Sequence, residues 1–221
     1  MKDYEQYDIS RSSFDEFVDF LFEHDVVPIP QGHDREREPW YWHAEVTHDA
    51  QRVLGLYIQL FEGPEFLLSR YTKEKLEQGF WAIISSNIEC AVTEVIWERQ
   101  VPFEERAACV RAMYYLYERF FLKEPLETSS NMWWDALAYD WHCGNRSRAN
   151  GGEDELMQDV MYETLERILA LPNEACQFAA LHGIGHLHHP STQEAIERFI
   201  NRPLSPELRE YALAAGRFEI M

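Results

Sequence analysis

Hydrophobic residues recur with the period of an α-helix along most of the chain. One such stripe is formed by Val53, Leu54, Tyr57, Ile58 and Phe61, and it stops at the helix-breaking pair at residues 63 and 64. Similar stripes begin after residues 72, 102, 130 and 153. No stretch shows the sustained alternation that indicates a half-buried strand. The pattern therefore predicts an all-α protein of stacked antiparallel helical hairpins, arranged as a solenoid or as a compact helical bundle.

Start signals and loops divide this pattern into elements. Ser13 and Glu16 have the spacing of a capping box, and Pro102 stands where a first-turn proline favours a helix start. Residues 25–42 contain three prolines and are predicted to be an irregular loop, held by the aromatic residues at its end. Residues 143–152 contain three glycines and no large apolar side chain, which predicts a flexible loop. We expect residues 1–221 to form a single domain.

The charge balance narrows the choice of partners. The chain has 39 acidic and 20 basic side chains, a formal net charge of −19. The excess lies at the two ends, since residues 1–50 carry −9 and residues 151–221 carry −7. Nucleic acids and anionic membranes bind basic patches, so we expect neither as a partner. An acidic surface favours a protein partner instead, in particular a basic one.

Targeting signals and cysteines bear on the compartment. The first ten residues have mixed charge and lack the apolar core of a signal peptide. The longest apolar run, Phe80–Ile84, is far shorter than the roughly 20 residues that a membrane span needs. The four cysteines are isolated, which favours reduced and buried thiols over disulfides. We expect a cytoplasmic protein, and the sequence leaves its oligomeric state open.

An internal repeat appears when residues 173–183 are placed over residues 205–215, an offset of 32 residues. The matched pairs are Ala180 with Ala212, Leu181 with Leu213, and Gly183 with Ala215. A prolyl turn precedes each segment, and residues 191–200 fill the gap as a second helix. This is the layout of a helix-pair repeat, whose members stack to bury a continuous core.

These segments resemble the HEAT-like repeats of the phycobilisome-lyase type, in which a helix rich in alanine and glycine pairs with a short partner helix. Arg209 matches an arginine that often precedes the Ala-Leu step, whereas the earlier copy has Cys176 or Gln177 there. The resemblance covers the C-terminal quarter only, with repeats over about residues 153–221. It implies a superhelical scaffold that presents a concave surface to a partner, and it implies no particular activity.

A histidine cluster is the candidate site. On a helix, His182, His186 and His189 fall on one side, opposite the apolar residues Ala180 and Ile184. Histidines four residues apart can share one metal ion, so we name these three as candidate ligands of a transition metal. His142 or an acid from a neighbouring helix is an alternative third ligand. The competing interpretation is a polar stripe that faces solvent or contacts a protein partner.

Two other patterns carry weaker hypotheses. The His-Asp dipeptides at residues 24–25, 33–34 and 48–49 resemble the metal-binding pair of the all-helical HD phosphohydrolases. The candidate set for that pattern is His43, the pair at 48–49, and Asp135 or Asp140 as the distant acid. Trp133, Trp134 and Trp141 indicate core packing, with a ligand groove as the alternative. No nucleophile elbow or phosphate-binding loop occurs.

From these observations we expect a non-enzymatic protein-interaction module, an acidic helical scaffold that acts as an adaptor or an inhibitor of a basic partner. Its binding surface would include His182, His186, His189, Trp133 and Trp134. No cofactor is expected under this hypothesis. The first alternative is a metal-dependent enzyme that uses His182 and His186, and the second is a carrier of a small ligand.

Overall fold

The computed structural model describes residues 4–27, 38–126 and 128–220. Within these ranges the chain forms eleven α-helices and one two-stranded sheet, so the predicted all-α class is confirmed. The chain divides into two compact units, Met1–Cys109 and Val110–Met221. That the whole chain acts as a single domain stays a prediction. None of the described helices is both long and apolar enough to cross a membrane.

The N-terminal unit consists of short helices and a strand pair. Its elements, in order, are β1 (Glu5–Asp8), α1 (Phe14–Phe22), β2 (Ala44–Thr47), α2 (Ala50–Glu62), α3 (Leu67–Arg70), α4 (Lys73–Ile84) and α5 (Val92–Val95). Short 3₁₀ turns cover Trp40–Trp42 and Pro64–Phe66. The predicted capping box starts α1, because Ser13 Oγ accepts from Glu16 N and Glu16 Oε2 accepts from Ser13 N.

The sheet is an element that the sequence analysis missed. Strands β1 and β2 are parallel, with Glu5 opposite Ala44 and Asp8 opposite Thr47. Each strand has four residues, and only β2 alternates between buried and exposed positions. Four residues are too few for alternation to stand out in a helical sequence, and long-range pairing is not encoded locally.

Large side chains form the core of this unit. Phe17 packs edge-on against Tyr57, and Phe22 packs edge-on against Phe80, so that α1 lies against both α2 and α4. The predicted aromatic end of the 25–42 loop is tied down, because Trp40 stacks on His24 with ring centroids 3.9 Å apart. Residues 28–37 of that loop, including the His-Asp pair at 33–34, lie outside the described residues.

Helix α6 (Phe103–Leu116) carries the chain from the first unit into the second and continues as a single π-turn at Tyr117–Phe121. The following helices are α7 (Ser129–His142), α8 (Gly152–Leu169), α9 (Glu174–Leu187), α10 (Thr192–Ile200) and α11 (Pro206–Gly216). Ion pairs bridge the glycine-rich loop before α8. Arg146 contacts Asp140 and Asp154, and Arg148 contacts Glu155 and Asp159.

Helices α7, α9 and α11 run side by side in the same direction. On one flank of α9, Asp135 lies beside His182 and His142 beside His188. On the other flank, Tyr211 contacts His182. Helix α8 runs antiparallel to α9, because Gln158 donates to Leu187 O near the end of α9 whereas Leu165 lies beside Gly183. Along the chain, α8 therefore separates α7 from α9, and α10 separates α9 from α11.

Two glycines allow α9 to lie this close to its neighbours. A Cβ atom on Gly183 would stand 2.5 Å from Trp134 Cβ and 2.8 Å from a Leu165 methyl carbon. A Cβ atom on Gly185 would stand 2.6 Å from Ile220 Cγ1. These distances are below van der Waals contact, so the sequence needs glycine here for packing and not for backbone freedom.

The cysteine prediction is right for three residues and wrong for one. Cys90, Cys109 and Cys176 are buried and unpaired. Cys143 is unpaired but exposed, because it follows the last residue of α7 at the start of the glycine-rich loop.

We predict that Gly183→Ala lowers the free energy of unfolding by about 1–3 kcal/mol, because the added methyl group overlaps Trp134 and Leu165 and forces a helix to shift. Gly55→Ala is the matched control, since Gly55 lies on α2 with nothing within 4 Å of the added carbon. Alanine is favoured over glycine inside a helix, so the control is expected to be neutral or stabilising. Thermal and urea unfolding of both variants checks this, and equal stability of the two would contradict the close-packing account.

Candidate metal centre

Three donor atoms from two parallel helices converge in the C-terminal unit. His182 and His186 lie one turn apart on α9, and Asp135 lies on α7. The two Nε2 atoms are 3.1 Å apart, and Asp135 Oδ1 lies 3.2 Å from His182 Nε2 and 2.9 Å from His186 Nε2. In the part of the chain that the structure describes, no other group of three His, Cys, Asp or Glu side chains converges in this way.

The spacing of these atoms fits a metal ion. Zinc binds imidazole nitrogen and carboxylate oxygen at about 2.0–2.2 Å, so two ligands of a tetrahedral ion stand about 3.3–3.5 Å apart. The observed separations of 2.9–3.2 Å are slightly shorter, and small side-chain rotations would open the triangle enough to hold an ion. Two histidines and one carboxylate are the donor set of known classes of zinc and non-haem iron sites.

A tyrosine from the third parallel helix orients His182. Tyr211 Oη lies 2.7 Å from His182 Nδ1. When Nδ1 carries the proton and donates a hydrogen bond to Tyr211 Oη, the Nε2 lone pair of His182 is left for a metal ion. This is the usual arrangement of metal-binding histidines, whose second nitrogen bonds to an outer partner. His186 differs, since its Nδ1 is buried and has no hydrogen-bond partner among the described residues.

The protonation states of the cluster suit a cation. Hydrogen bonds with His182 and then with His186 hold the pKa of Asp135 well below its ordinary value, so this carboxylate is ionised near neutral pH. Burial first, and then the charge of Asp135, raises the pKa of Tyr211, which keeps its hydroxyl protonated. The cluster therefore combines an ionised carboxylate with a protonated phenol.

The expectation that the histidine stripe faces solvent or a partner is wrong. His182 is 8% exposed and His186 is 1% exposed. The reason is that α7 and α11 flank α9 and place Asp135 and Tyr211 over the stripe. A helical projection shows which residues share a side of one helix, but it does not show that neighbouring helices cover that side.

His189 does not join the other two histidines. Helix α9 ends at Leu187, and His188 adopts the left-handed conformation with φ of 53°. This reversal turns His189 toward α8, where its Nε2 lies 2.9 Å from Asp159 Oδ1 and its ring stacks on Tyr162. The prediction of His189 as a third ligand assumed that the helix continued to Pro190, and it is wrong. Asp135 is the third residue of the group instead.

The tryptophans named for a binding surface are core residues. Trp133 and Trp134 are fully buried, and Trp141 is 5% exposed. Trp133 Nε1 donates to Met113 Sδ, and the Cβ of Trp134 faces Gly183. Their burial confirms the core interpretation and excludes Trp133 and Trp134 from an exposed binding surface or ligand groove.

The remaining histidines and acids named from sequence have other places. His142 approaches His186 with ring centroids 4.7 Å apart, but its nitrogens do not join the three converging atoms. Asp49 caps α2 by accepting from Arg52 N, and His24 stacks on Trp40. Asp140 pairs with Arg146. The described residues thus give no support to a site built on the His-Asp dipeptides.

Tyr211 is the site residue that the sequence analysis missed. An acid from a neighbouring helix was an alternative third ligand, but Asp135 was named by number only in the hypothesis of the His-Asp dipeptides. A signal for Asp135 exists in retrospect, because Asp135 and His142 lie seven residues apart on one side of α7. That spacing does not predict which helix packs against α9.

Comparisons with protein-family models, with curated proteins and with solved structures found no match to this chain. Functional conclusions therefore rest on the geometry of the site itself.

Proposed function

We propose that this protein binds a divalent transition-metal ion, with zinc as the first ion to test, through Asp135, His182 and His186. The observation that carries the proposal is the convergence of one ionised carboxylate oxygen and two imidazole nitrogens within 3.2 Å of one another. Imidazole and carboxylate donors suit zinc and iron better than they suit magnesium or calcium, which prefer an all-oxygen shell.

The burial of the cluster supports the same proposal. Polar groups cost free energy when they are buried without full hydrogen bonding. Here two imidazoles place their Nε2 atoms 3.1 Å apart, although two N–H groups cannot point at each other. At most one of these nitrogens can donate to the other, and without an ion both compete for the single oxygen Asp135 Oδ1. A bound cation would instead use both nitrogen lone pairs and the carboxylate oxygen at once.

A helix-pair repeat is proposed for the arrangement of the C-terminal unit. The parallel course of α7, α9 and α11, with α8 and α10 returning between them, supports it. In such a repeat the metal site would link successive first helices of the pairs, because its ligands come from α7 and α9 and their outer partner comes from α11.

A second candidate function is binding of a basic protein partner, and an acidic groove in the N-terminal unit favours it. The groove has a volume of about 590 Å³ and is lined by Glu89, Glu94, Glu98, His48 and Trp97, among others. Carboxylates can form ion pairs with the guanidinium group of an arginine side chain, and an indole ring beside them can stack on the same group.

A cytoplasmic location remains a prediction from the sequence.

Zinc titration of the full chain, produced without a histidine tag, is expected to give one equivalent bound by isothermal calorimetry. Asp135→Ala is expected to lower the affinity by at least about 100-fold, because it removes the charged ligand. His188→Asn is the matched control, since His188 is exposed and asparagine tolerates its left-handed backbone. Binding of less than about a tenth of an equivalent by the folded wild-type protein would refute the proposed site.

Tyr211→Phe tests the outer partner. We expect it to weaken zinc binding by about 10–100-fold without unfolding the protein, because His182 loses the group that fixes its tautomer and ring orientation. Tyr139→Phe removes the same hydroxyl from a tyrosine that lies near His186 but is 49% exposed, and it should leave the affinity unchanged. Competition with a chromophoric chelator measures both. Equal affinities of the two variants would show that Tyr211 has no orienting role.

The groove is tested with a fluorescent arginine-rich peptide and fluorescence anisotropy. The double variant Glu94→Gln/Glu98→Gln is expected to bind about fivefold more weakly, and the difference should vanish at high salt. Glu163→Gln/Glu207→Gln removes the same net charge from exposed positions in the other unit and is the control. If both double variants weaken binding equally, the peptide responds to net charge and not to the groove.

A further inference from the structure

The number of converging donor atoms bears on what a bound ion could do. Structural zinc sites are closed by four protein ligands, whereas sites that act on other molecules have three and keep one position for an exchangeable ligand. Within the described residues, the group of mutually close donors contains Asp135, His182 and His186 and no fourth member. A tetrahedral ion on this triangle would have its fourth position on the side away from the three atoms.

His142 is the residue that would close the site if it could reach the ion. Its ring lies edge-on to His186, but it is also stacked on Tyr139, with ring centroids 5.5 Å apart. It further contacts the ring of His188. These neighbours lie around the imidazole beside His186. Neither nitrogen of His142 comes within 4.8 Å of all three donor atoms.

The cluster is most exposed at Asp135. The side chain of Asp135 is 28% exposed, whereas that of His186 is 2% exposed. Tyr139 lies one turn beyond Asp135 on α7, is 49% exposed, and has its ring 5.6 Å from that of His186. A small molecule that approaches along the carboxylate edge would therefore meet an aromatic wall next to the ion.

Charge indicates which ligand would bind there. A divalent ion bound by one carboxylate and two neutral imidazoles retains one net positive charge, and a monoanion would neutralise it. Oxygen donors suit an ion that already accepts nitrogen and oxygen ligands. Carboxylates and hydroxamates combine both properties, and an aryl or apolar substituent on them could pack on Tyr139.

We propose that the ion held by Asp135, His182 and His186 keeps one exchangeable coordination position, at which the protein binds a small monoanionic oxygen ligand of the carboxylate class beside Tyr139. This inference rests on the proposed metal site, but the two can fail separately. The metal site concerns the three protein ligands, and the exchangeable position concerns the fourth.

The test uses the full chain loaded with Co²⁺, whose visible absorption reports coordination number and ligand exchange. Acetohydroxamate, which binds through two oxygens as the ion becomes five-coordinate, is expected to shift the Co²⁺ bands saturably at one equivalent per site. Benzohydroxamate should bind about fivefold more tightly than acetohydroxamate, and Tyr139→Ala should abolish that preference.

His142→Ala separates an exchangeable site from a closed one. If the inference holds, the variant has the same Co²⁺ spectrum as the wild type and the same response to acetohydroxamate. A wild-type spectrum that does not respond to either hydroxamate overturns the inference, and a response that appears only in His142→Ala identifies His142 as the closing ligand. Failure of Co²⁺ itself to bind stoichiometrically by calorimetry overturns the proposed metal site as well.

Discussion

The close approach of α9 to its neighbours is the constraint on which the C-terminal unit depends. At Gly183 and Gly185 one additional carbon would overlap Trp134, Leu165 or Ile220. With no side chain at these positions, α7 and α11 can lie against α9 at short range, and dispersion contacts replace the missing side-chain surface. Glycine weakens a helix by roughly 1 kcal/mol relative to alanine, so the packing it permits has to offset that cost twice in one helix.

The same approach creates the polar cluster. Because the helices are close, Asp135 and Tyr211 reach the histidines of α9 directly, and the group becomes largely shielded from water. In a shielded environment hydrogen bonds and charges act more strongly, and any unsatisfied group becomes more costly. The orphaned Nδ1 of His186 is a cost of this kind. Functional sites often retain such costs.

The two candidate functions belong to different units and differ in their physical basis. The candidate metal centre depends on distances and tautomers within the C-terminal unit, so metal binding there would be sensitive to single hydroxyl or carboxylate groups. The acidic groove of the N-terminal unit depends on the sum of several charges around Trp97, so it is sensitive to salt and tolerant of single changes. A protein could have both properties, since neither uses residues of the other.

The sequence by itself determined the helical class and several helix starts, because period, caps and breakers are local. Ser13 with Glu16, Thr72 and Pro102 indicated three helix starts close to where they occur. It also determined that His182 and His186 share one side of a helix. What it could not determine was what lies opposite them.

Only the tertiary structure decided that question. The residues that complete the cluster are 47 and 29 positions away from His182 along the chain, and no local rule relates them to it. In the structure α9 ends at Leu187, and His189 contacts Asp159. Both follow from the left-handed conformation of His188, which the sequence does not signal. The four-residue strands escaped notice for the same reason, since their stability comes from a partner about forty positions away and not from their own pattern.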